Sequence, residues 1–179
     1  MKTSLLMAAT AVALAAGSLS TQAACVHRTK TGNTPAAQPM KLPALPHDTR
    51  SPSGSDDSIV GLWHVEHRLP DGSLYFESFE HYHADGTEFE FANINPILGD
   101  VCMGVFTQKD SRTVSLYHIG WIFDDAGNPA GTFTLEGPRK ISANGKHLKG
   151  TFDAKIYDVD GNLVEEDTGN TTGDRIPAP

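Results

Sequence analysis

The chain has 179 residues, 39% of them hydrophobic, and a formal net charge of −8 from 14 Lys and Arg against 22 Asp and Glu. A surface with this acidic excess repels phosphate backbones and anionic headgroups, so we expect neither nucleic acid nor anionic lipid as a partner. Two cysteines are too few for a cysteine-rich zinc site. The acidic excess is explained by solubility rather than by recognition.

Residues 1–24 have the pattern of a cleavable secretory signal. Lys2 supplies a positive start, residues 5–16 are apolar, and small residues follow up to Ala24. The apolar stretch is shorter than the roughly 20 residues that a membrane-spanning helix needs. We therefore expect a secreted or periplasmic protein without a membrane span. Cys25 follows the expected cleavage site, but Gln22 stands where a lipoprotein signal has Leu, which disfavours a lipid anchor.

Residues 25–57 are rich in Pro, Ser, Thr and Ala, and their other apolar residues are few and show no period. Such a segment cannot bury enough surface to offset its ordering entropy, so we predict a disordered linker. Residues 58–179 then form one domain of ordinary size. An oxidising compartment would permit a disulfide between Cys25 and Cys102. Because Cys102 lies in an apolar strand, a buried cysteine is the favoured interpretation, and the pairing stays open.

The domain contains eight runs rich in aromatic and β-branched residues, separated by turn signals. Asp71-Gly72, Asp85-Gly86, Asn144-Gly145 and Asp160-Gly161 are dipeptides that accept the positive φ angles of tight hairpins. The predicted strands cover residues 59–69, 73–83, 87–94, 101–108, 113–123, 130–141, 147–157 and 163–176. We predict an all-β fold, a single eight-stranded antiparallel up-and-down β-barrel, because closure removes the two exposed edges of such a sheet.

Gly61-Leu62-Trp63 opens the first predicted strand, and Asp174-Arg175-Ile176 ends the last. This pattern resembles that of the calycins, including the lipocalins, and the resemblance implies that Arg175 packs over Trp63 at one end of the barrel. A guanidinium over an indole face gains cation–π energy. Residues 131–135 and 150–153 are also similar to the eight-stranded barrels of the allene oxide cyclase and dirigent type. Either resemblance implies a small secreted bacterial barrel.

His118 lies in the middle of an apolar strand, so we expect its side chain to point into the barrel. The candidate ligand-binding residues are those on or near this strand and two strand carboxylates, namely His118, Tyr117, Trp121, Glu136 and Asp153. Carboxylates within strands, such as Glu90, Glu136 and Asp153, are expected on the outer face, where water solvates them. An inward carboxylate would have a raised pKa and would suit acid–base chemistry with His118.

His81 and His83 are two residues apart on a predicted strand, and the Asp85-Gly86 turn brings Glu88 back beside them. Two imidazoles and a carboxylate suit zinc, iron or copper, so these three residues are the candidate ligands of a divalent metal. No other cofactor is predicted. The alternative is a solvent-facing hairpin tip, with both histidines near the rim.

Three functions stay open at this point. The first is the binding of a small, partly apolar molecule in the barrel lumen. The second is an enzyme, either a cyclase or isomerase using His118 or a metal-dependent enzyme at His81, His83 and Glu88. The third is a filled barrel that acts as a structural or interaction protein without a ligand. The sequence does not determine the oligomeric state.

Overall fold

The computed structural model describes residues 58–178, so the predicted signal (1–24) and linker (25–57) lie outside the described residues. Eight strands follow one another along the chain: β1 (Gly61–Arg68), β2 (Leu74–Tyr82), β3 (Thr87–Ala92), β4 (Val101–Asp110), β5 (Thr113–Phe123), β6 (Pro129–Ile141), β7 (His147–Tyr157) and β8 (Leu163–Arg175). One 3-10 turn, Pro96–Leu98, lies between β3 and β4. Each predicted strand matches an observed one to within two residues at either end.

Every strand pairs antiparallel with the next, and β1 also pairs with β8, which closes the barrel. The predicted up-and-down barrel is therefore confirmed. Tight turns make this topology possible, since Gly72 and Gly86 adopt φ angles of 83° and 89°. Asp85 stabilises its turn by accepting hydrogen bonds from the amide and hydroxyl of Thr87, at 3.0 and 2.6 Å.

The contact expected between the first and last strands is present. The guanidinium carbon of Arg175 lies 4.2 Å from the ring centroid of Trp63, which is fully buried. The Trp63 indole N–H donates to the carbonyl of Ile59 at 2.8 Å. Arg175 donates to the carbonyls of Val60 and Gly145 at 2.7 and 2.6 Å. The prediction that Trp63 and Arg175 meet at one end of the barrel is confirmed.

The barrel interior consists of two apolar clusters with polar residues between them. Trp63, Val65, Leu116 and Ile141 belong to the cluster at the Trp63 end, and the second cluster comprises Leu69, Tyr75, Phe76, Ala92, Cys102, Ile122, Phe133, Leu135, Phe152, Ala154 and Ile156. Strand alternation produces this arrangement, because every second side chain of each strand points inward. No helix in the described part of the chain is long and apolar enough to cross a membrane.

Candidate metal site

A layer of ionisable side chains lies between the two apolar clusters. We call it the polar layer, and its six members are His67, Glu80, Glu88, Glu90, His118 and Arg139, all 0 to 2% exposed. The strand register explains why the acidic members meet. Glu80 pairs with Glu90, and Tyr82 pairs with Glu88, across the β2–β3 hairpin. Directly paired residues face the same side of a sheet, so three carboxylates enter the interior together.

The Glu90 carboxylate lies between the two imidazoles. Its Oε1 is 3.7 Å from Nε2 of His67, and its Oε2 is 3.2 Å from Nε2 of His118. Nε2 of His67 is also 3.4 Å from Oε1 of Glu80. Nδ1 of His118 is 3.4 Å from Oε2 of Glu88. The nitrogen and oxygen atoms of five side chains therefore converge within the closed barrel.

Surrounding groups orient these side chains. The Tyr82 hydroxyl donates to Oε2 of Glu80 at 2.5 Å, and Thr171 Oγ1 lies 3.1 Å from Nδ1 of His67. The ring of Phe76 stacks on His67 with centroids 4.3 Å apart. Tyr82 thus occupies Oε2 of Glu80, and Thr171 occupies Nδ1 of His67, which leaves the other polar atom of each side chain toward the interior of the layer. Oε1 of Glu80 and Nε2 of His67 consequently point at each other, toward Glu90.

Many buried polar atoms of this layer lack a hydrogen bond of normal geometry to any residue that the structure describes. These atoms are Nε2 of His67, Oε1 of Glu80, both carboxylate oxygens of Glu88 and Glu90, both ring nitrogens of His118, and two guanidinium nitrogens of Arg139. A buried polar atom without a partner costs about 1–3 kcal/mol, more if it is charged. This concentration makes the polar layer the candidate site.

Two sets of buried side chains lie close enough together to hold a metal ion. The ligand atoms of His67, Glu80 and Glu90 all lie within 4.8 Å of one another, and so do those of Glu90, Cys102 and His118. Cys102 is buried and disulfide-bonded, whereas Cys25 lies outside the part of the chain that the structure describes. A disulfide sulfur is not a thiolate ligand. The set of His67, Glu80 and Glu90 is therefore the better candidate.

The charges in the layer are strongly perturbed. Burial and the negative charges of Glu80 and Glu90 raise the pKa of Glu88 to about 10. Burial also opposes ionisation of Glu80, but the His67 imidazole 3.4 Å away and the charge of Arg139 outweigh this and hold its pKa at about 2. Glu88 is consequently protonated at neutral pH, whereas Glu80 is ionised.

The two imidazoles differ in the same way. Burial disfavours the charged form of His67, but Glu80 and Glu90 outweigh this and raise its pKa. Burial lowers the pKa of His118, so its imidazole is neutral. A neutral imidazole is the form that binds metals.

The predicted ligand-binding residues do not come together. His118 points inward and is 1% exposed, but Tyr117 and Trp121 lie on the outer face, 42% and 68% exposed. Glu136 and Asp153 pair with each other across β6 and β7 and also face outward. None of these four residues can contact a ligand in the lumen, because they have the opposite strand parity from the inward residues. For Glu136 and Asp153 this agrees with the outer face expected of strand carboxylates.

The predicted metal ligands are also separated. The rings of His81 and His83 lie 4.1 Å apart near the β2–β3 turn, where His81 is exposed on the outer face, but Glu88 is 2% exposed inside the barrel. Glu88 pairs with Tyr82 and not with His81, so it shares the inner face. The three residues cannot form the expected site. The expectation that Glu90 faces water is also wrong. Glu90 pairs with the buried Glu80, so its side chain points into the barrel.

Sequence reasoning missed His67, Glu80 and Arg139. One signal could have found His67, since it lies two alternations after Trp63 on the same predicted strand and therefore shares its face. The hairpin turn at Asp85-Gly86 could have found Glu80, because it sets Glu80 opposite Glu90. We see no comparable local signal for Arg139, which reaches the layer from β6.

Comparisons with known proteins add little to this geometry. No family model matches the chain, and no curated protein does. Among solved structures, the chain is similar to one described as EF1p2_mFAP2b bound to DFHBI, with 16% sequence identity and a TM-score of 0.45. The match covers 68% of this chain and 99% of that chain. A likeness at this level gives no argument about the site.

Proposed function

We propose that this protein, exported through its N-terminal signal, binds a divalent transition-metal ion inside its barrel. His67, Glu80 and Glu90 are the proposed first ligands, and His118 lies on the other side of Glu90. The observation that supports this proposal is the convergence of buried nitrogen and oxygen atoms that make no hydrogen bond of normal geometry to a described residue. Buried polar groups in native proteins are nearly always satisfied.

The charge of the polar layer supports a divalent ion. With neutral imidazoles, three carboxylates and the Arg139 guanidinium leave two uncompensated negative charges. The directions of the pKa shifts indicate that protons on Glu88 and His67 balance this charge in the protein without metal. A divalent cation could replace both protons, so affinity for the metal is expected to fall with decreasing pH.

The ligand types narrow the identity of the metal. Imidazole nitrogen with carboxylate oxygen suits Zn²⁺, Fe²⁺, Mn²⁺ or Co²⁺. Ca²⁺ and Mg²⁺ prefer oxygen ligands alone and are disfavoured by the central position of His67 and His118. Two histidines and three carboxylates exceed the ligands that one Zn²⁺ ion needs, which leaves Glu88 free to act as an outer partner of His118.

The binding of a small, partly apolar molecule in the lumen is a separate proposal, and we place it second. It requires apolar space between the two clusters, where the polar layer lies. A metal-dependent enzyme would require substrate to reach the metal, and the ligand side chains are 0 to 1% exposed. Metal binding alone needs neither condition.

The test is metal loading of the mature chain after treatment with a chelator. We expect the protein to take up one Zn²⁺ or Co²⁺ per chain, measured by elemental analysis, and cobalt to give visible d–d absorption. Glu90→Gln keeps the side chain's size but removes the central charge. This variant should lose stoichiometric metal, with affinity reduced by at least 10- to 100-fold.

The matched control is the double variant His81→Ala and His83→Ala on the outer face, which should bind metal like the parent chain. Urea denaturation should show that each variant is folded. Failure of the parent chain to bind any of the four metals would refute the proposal. Equal binding by Glu90→Gln, or loss of binding in the His81 and His83 variant, would place the metal elsewhere. A folded chain without metal would instead favour the filled interaction barrel.

A further inference from the structure

The outer surface of the barrel is divided into two chemically different halves. On β6 to β8 the outward side chains include Glu136, Lys140, Lys149, Lys155 and Glu166. On β3, β4 and β5 the outward positions within 87–91, 101–107 and 115–123 include no Asp, Glu, Lys or Arg. Exposed hydrophobic residues cover this second half, which we call the apolar face: Phe79, Phe89, Phe91, Val101, Met103, Val105, Tyr117, Ile119 and Trp121.

The strand register makes the apolar face continuous across four strands. Phe79 on β2 pairs with Phe91 on β3, and Phe89 pairs with Met103 on β4. Met103 in turn pairs with Ile119 on β5. Each residue is therefore in line with apolar neighbours on the adjoining strands, and the exposed side chains form one patch.

The patch is larger than a monomer ordinarily exposes. Its nine side chains are 36 to 68% exposed, with Met103 at 64% and Trp121 at 68%. Since a large aromatic side chain presents roughly 150–250 Å² of surface, the patch amounts to on the order of 800 Å². The largest apolar patch of a typical monomer is about 300–600 Å². A standard protein–protein interface buries about 800 Å² on each partner.

We propose that the apolar face binds the same face of a second copy of this chain, forming a two-fold symmetric dimer. The area on one copy equals what each side of a stable dimer requires. A two-fold interface uses one patch twice, so it would bury two sets of outward strand positions that contain no Asp, Glu, Lys or Arg. A groove of about 470 Å³ beside Met103, Ile119 and Trp121 offers a recess for side chains of the other copy.

Charge disfavours the other occupants. Residues 59–179 contain 9 Lys and Arg against 19 Asp and Glu, so the domain repels an anionic membrane. A charged protein partner would be matched by charged residues at the centre of the face, and outward positions there have none. A second copy presents a face that is equally free of charged outward residues, and two sheets pack well face to face.

Sedimentation of the mature chain tests the proposal. We expect the chain to become dimeric as its concentration is raised to about 100 μM, since interfaces of this size give micromolar or tighter dissociation constants. The double variant Met103→Lys and Trp121→Lys should weaken the dimer at least 10-fold. Both side chains are mostly exposed within one chain, so circular dichroism and the Tm should show a folded protein. The milder Trp121→Gln provides a second variant should the double lysine variant fail to fold.

The control is Val159→Lys in the β7–β8 turn, where Val159 is 69% exposed but lies outside the apolar face. It should leave the dimer unchanged. A parent chain that is monomeric throughout the concentration range would overturn the proposal, whether the face is then bare, covered by residues 25–57 or bound to another partner. A dimer unaffected by the substitutions on the apolar face would overturn it as well.

Discussion

Glu88 is enclosed in the barrel, close to two other carboxylates. Burial and these negative charges raise its pKa to about 10. In the unfolded chain the same carboxyl ionises near its ordinary value of about 4.5. As the pH rises through that value, the unfolded chain loses the proton while the folded chain retains it. The stability contributed by this residue therefore decreases with pH above about 4.5.

The variant Glu88→Gln should remove this dependence in the metal-free protein. Glutamine resembles the protonated acid in size and cannot ionise. At about pH 8 the variant should be more stable than the parent by about 2–4 kcal/mol, and near pH 4.5 the two should be about equal. Urea denaturation in the presence of a chelator measures the difference.

Glu136→Gln is the control for this pH dependence, because Glu136 is exposed on the outer face. Its stability should follow that of the parent chain at both pH values, since substitutions of exposed surface residues change stability little. Parallel pH profiles for Glu88→Gln and the parent would show that Glu88 is not held in its protonated form.

At the scale of a strand pair, the backbones of β6 and β7 come into close contact at Gly150, beside a short gap in their pairing. Glu136 pairs with Asp153, and the next pair along the two strands is Arg139 with Gly150. A Cβ atom on Gly150 would overlap the backbone carbonyl oxygen of Pro138. Glycine here allows close backbone contact where the paired strands coil around the barrel.

Gly150→Ala should therefore destabilise the protein by about 3 kcal/mol, because a backbone carbonyl cannot move aside without breaking the strand pair. Gly161→Ala provides the comparison. Gly161 has a φ of +82° in the β7–β8 turn, but no atom lies within 4 Å of the position that an alanine methyl would take, so only the left-handed backbone is disfavoured. That effect should be about 1 kcal/mol. Equal losses in denaturant would contradict a steric role for Gly150.

At the scale of the whole molecule, the junction of β1 and β8 decides whether the sheet is open or closed. Arg175 joins three segments there, since it contacts Trp63 and donates to the carbonyls of Val60 and Gly145. A lysine has one charged nitrogen and cannot reproduce the planar set of donors. Replacement of Arg175 by lysine should therefore weaken the junction of β1 and β8, although the charge is conserved.

Arg175→Lys should lower the free energy of unfolding by about 2 kcal/mol, from the lost hydrogen bonds and cation–π contact. Near-ultraviolet circular dichroism of Trp63 should change with it. Arg68→Lys, which alters a partly exposed ion pair with Glu66, should have an effect of at most about 1 kcal/mol. A silent Arg175→Lys would indicate that strand pairing alone closes the barrel.

The sequence by itself determined the fold to a large degree. Hairpin dipeptides such as Asp85-Gly86 form tight turns because glycine accepts a positive φ angle, and this preference does not depend on the rest of the chain. Strand composition between the turns predicted all eight strands. The contact between Trp63 and Arg175 followed from a family resemblance together with the closure of a barrel.

Only the tertiary structure decided which face of each strand is inside. Alternation places Glu88 and His81 on opposite faces, but the alternating pattern reads equally well with either face inward. Glu90 lies inside and Trp121 outside, against the usual preference of a carboxylate for water and an indole for the core. Closure of the barrel sets one register for all strands, and that register brings His67, Glu80 and Glu90 together from positions distant in sequence.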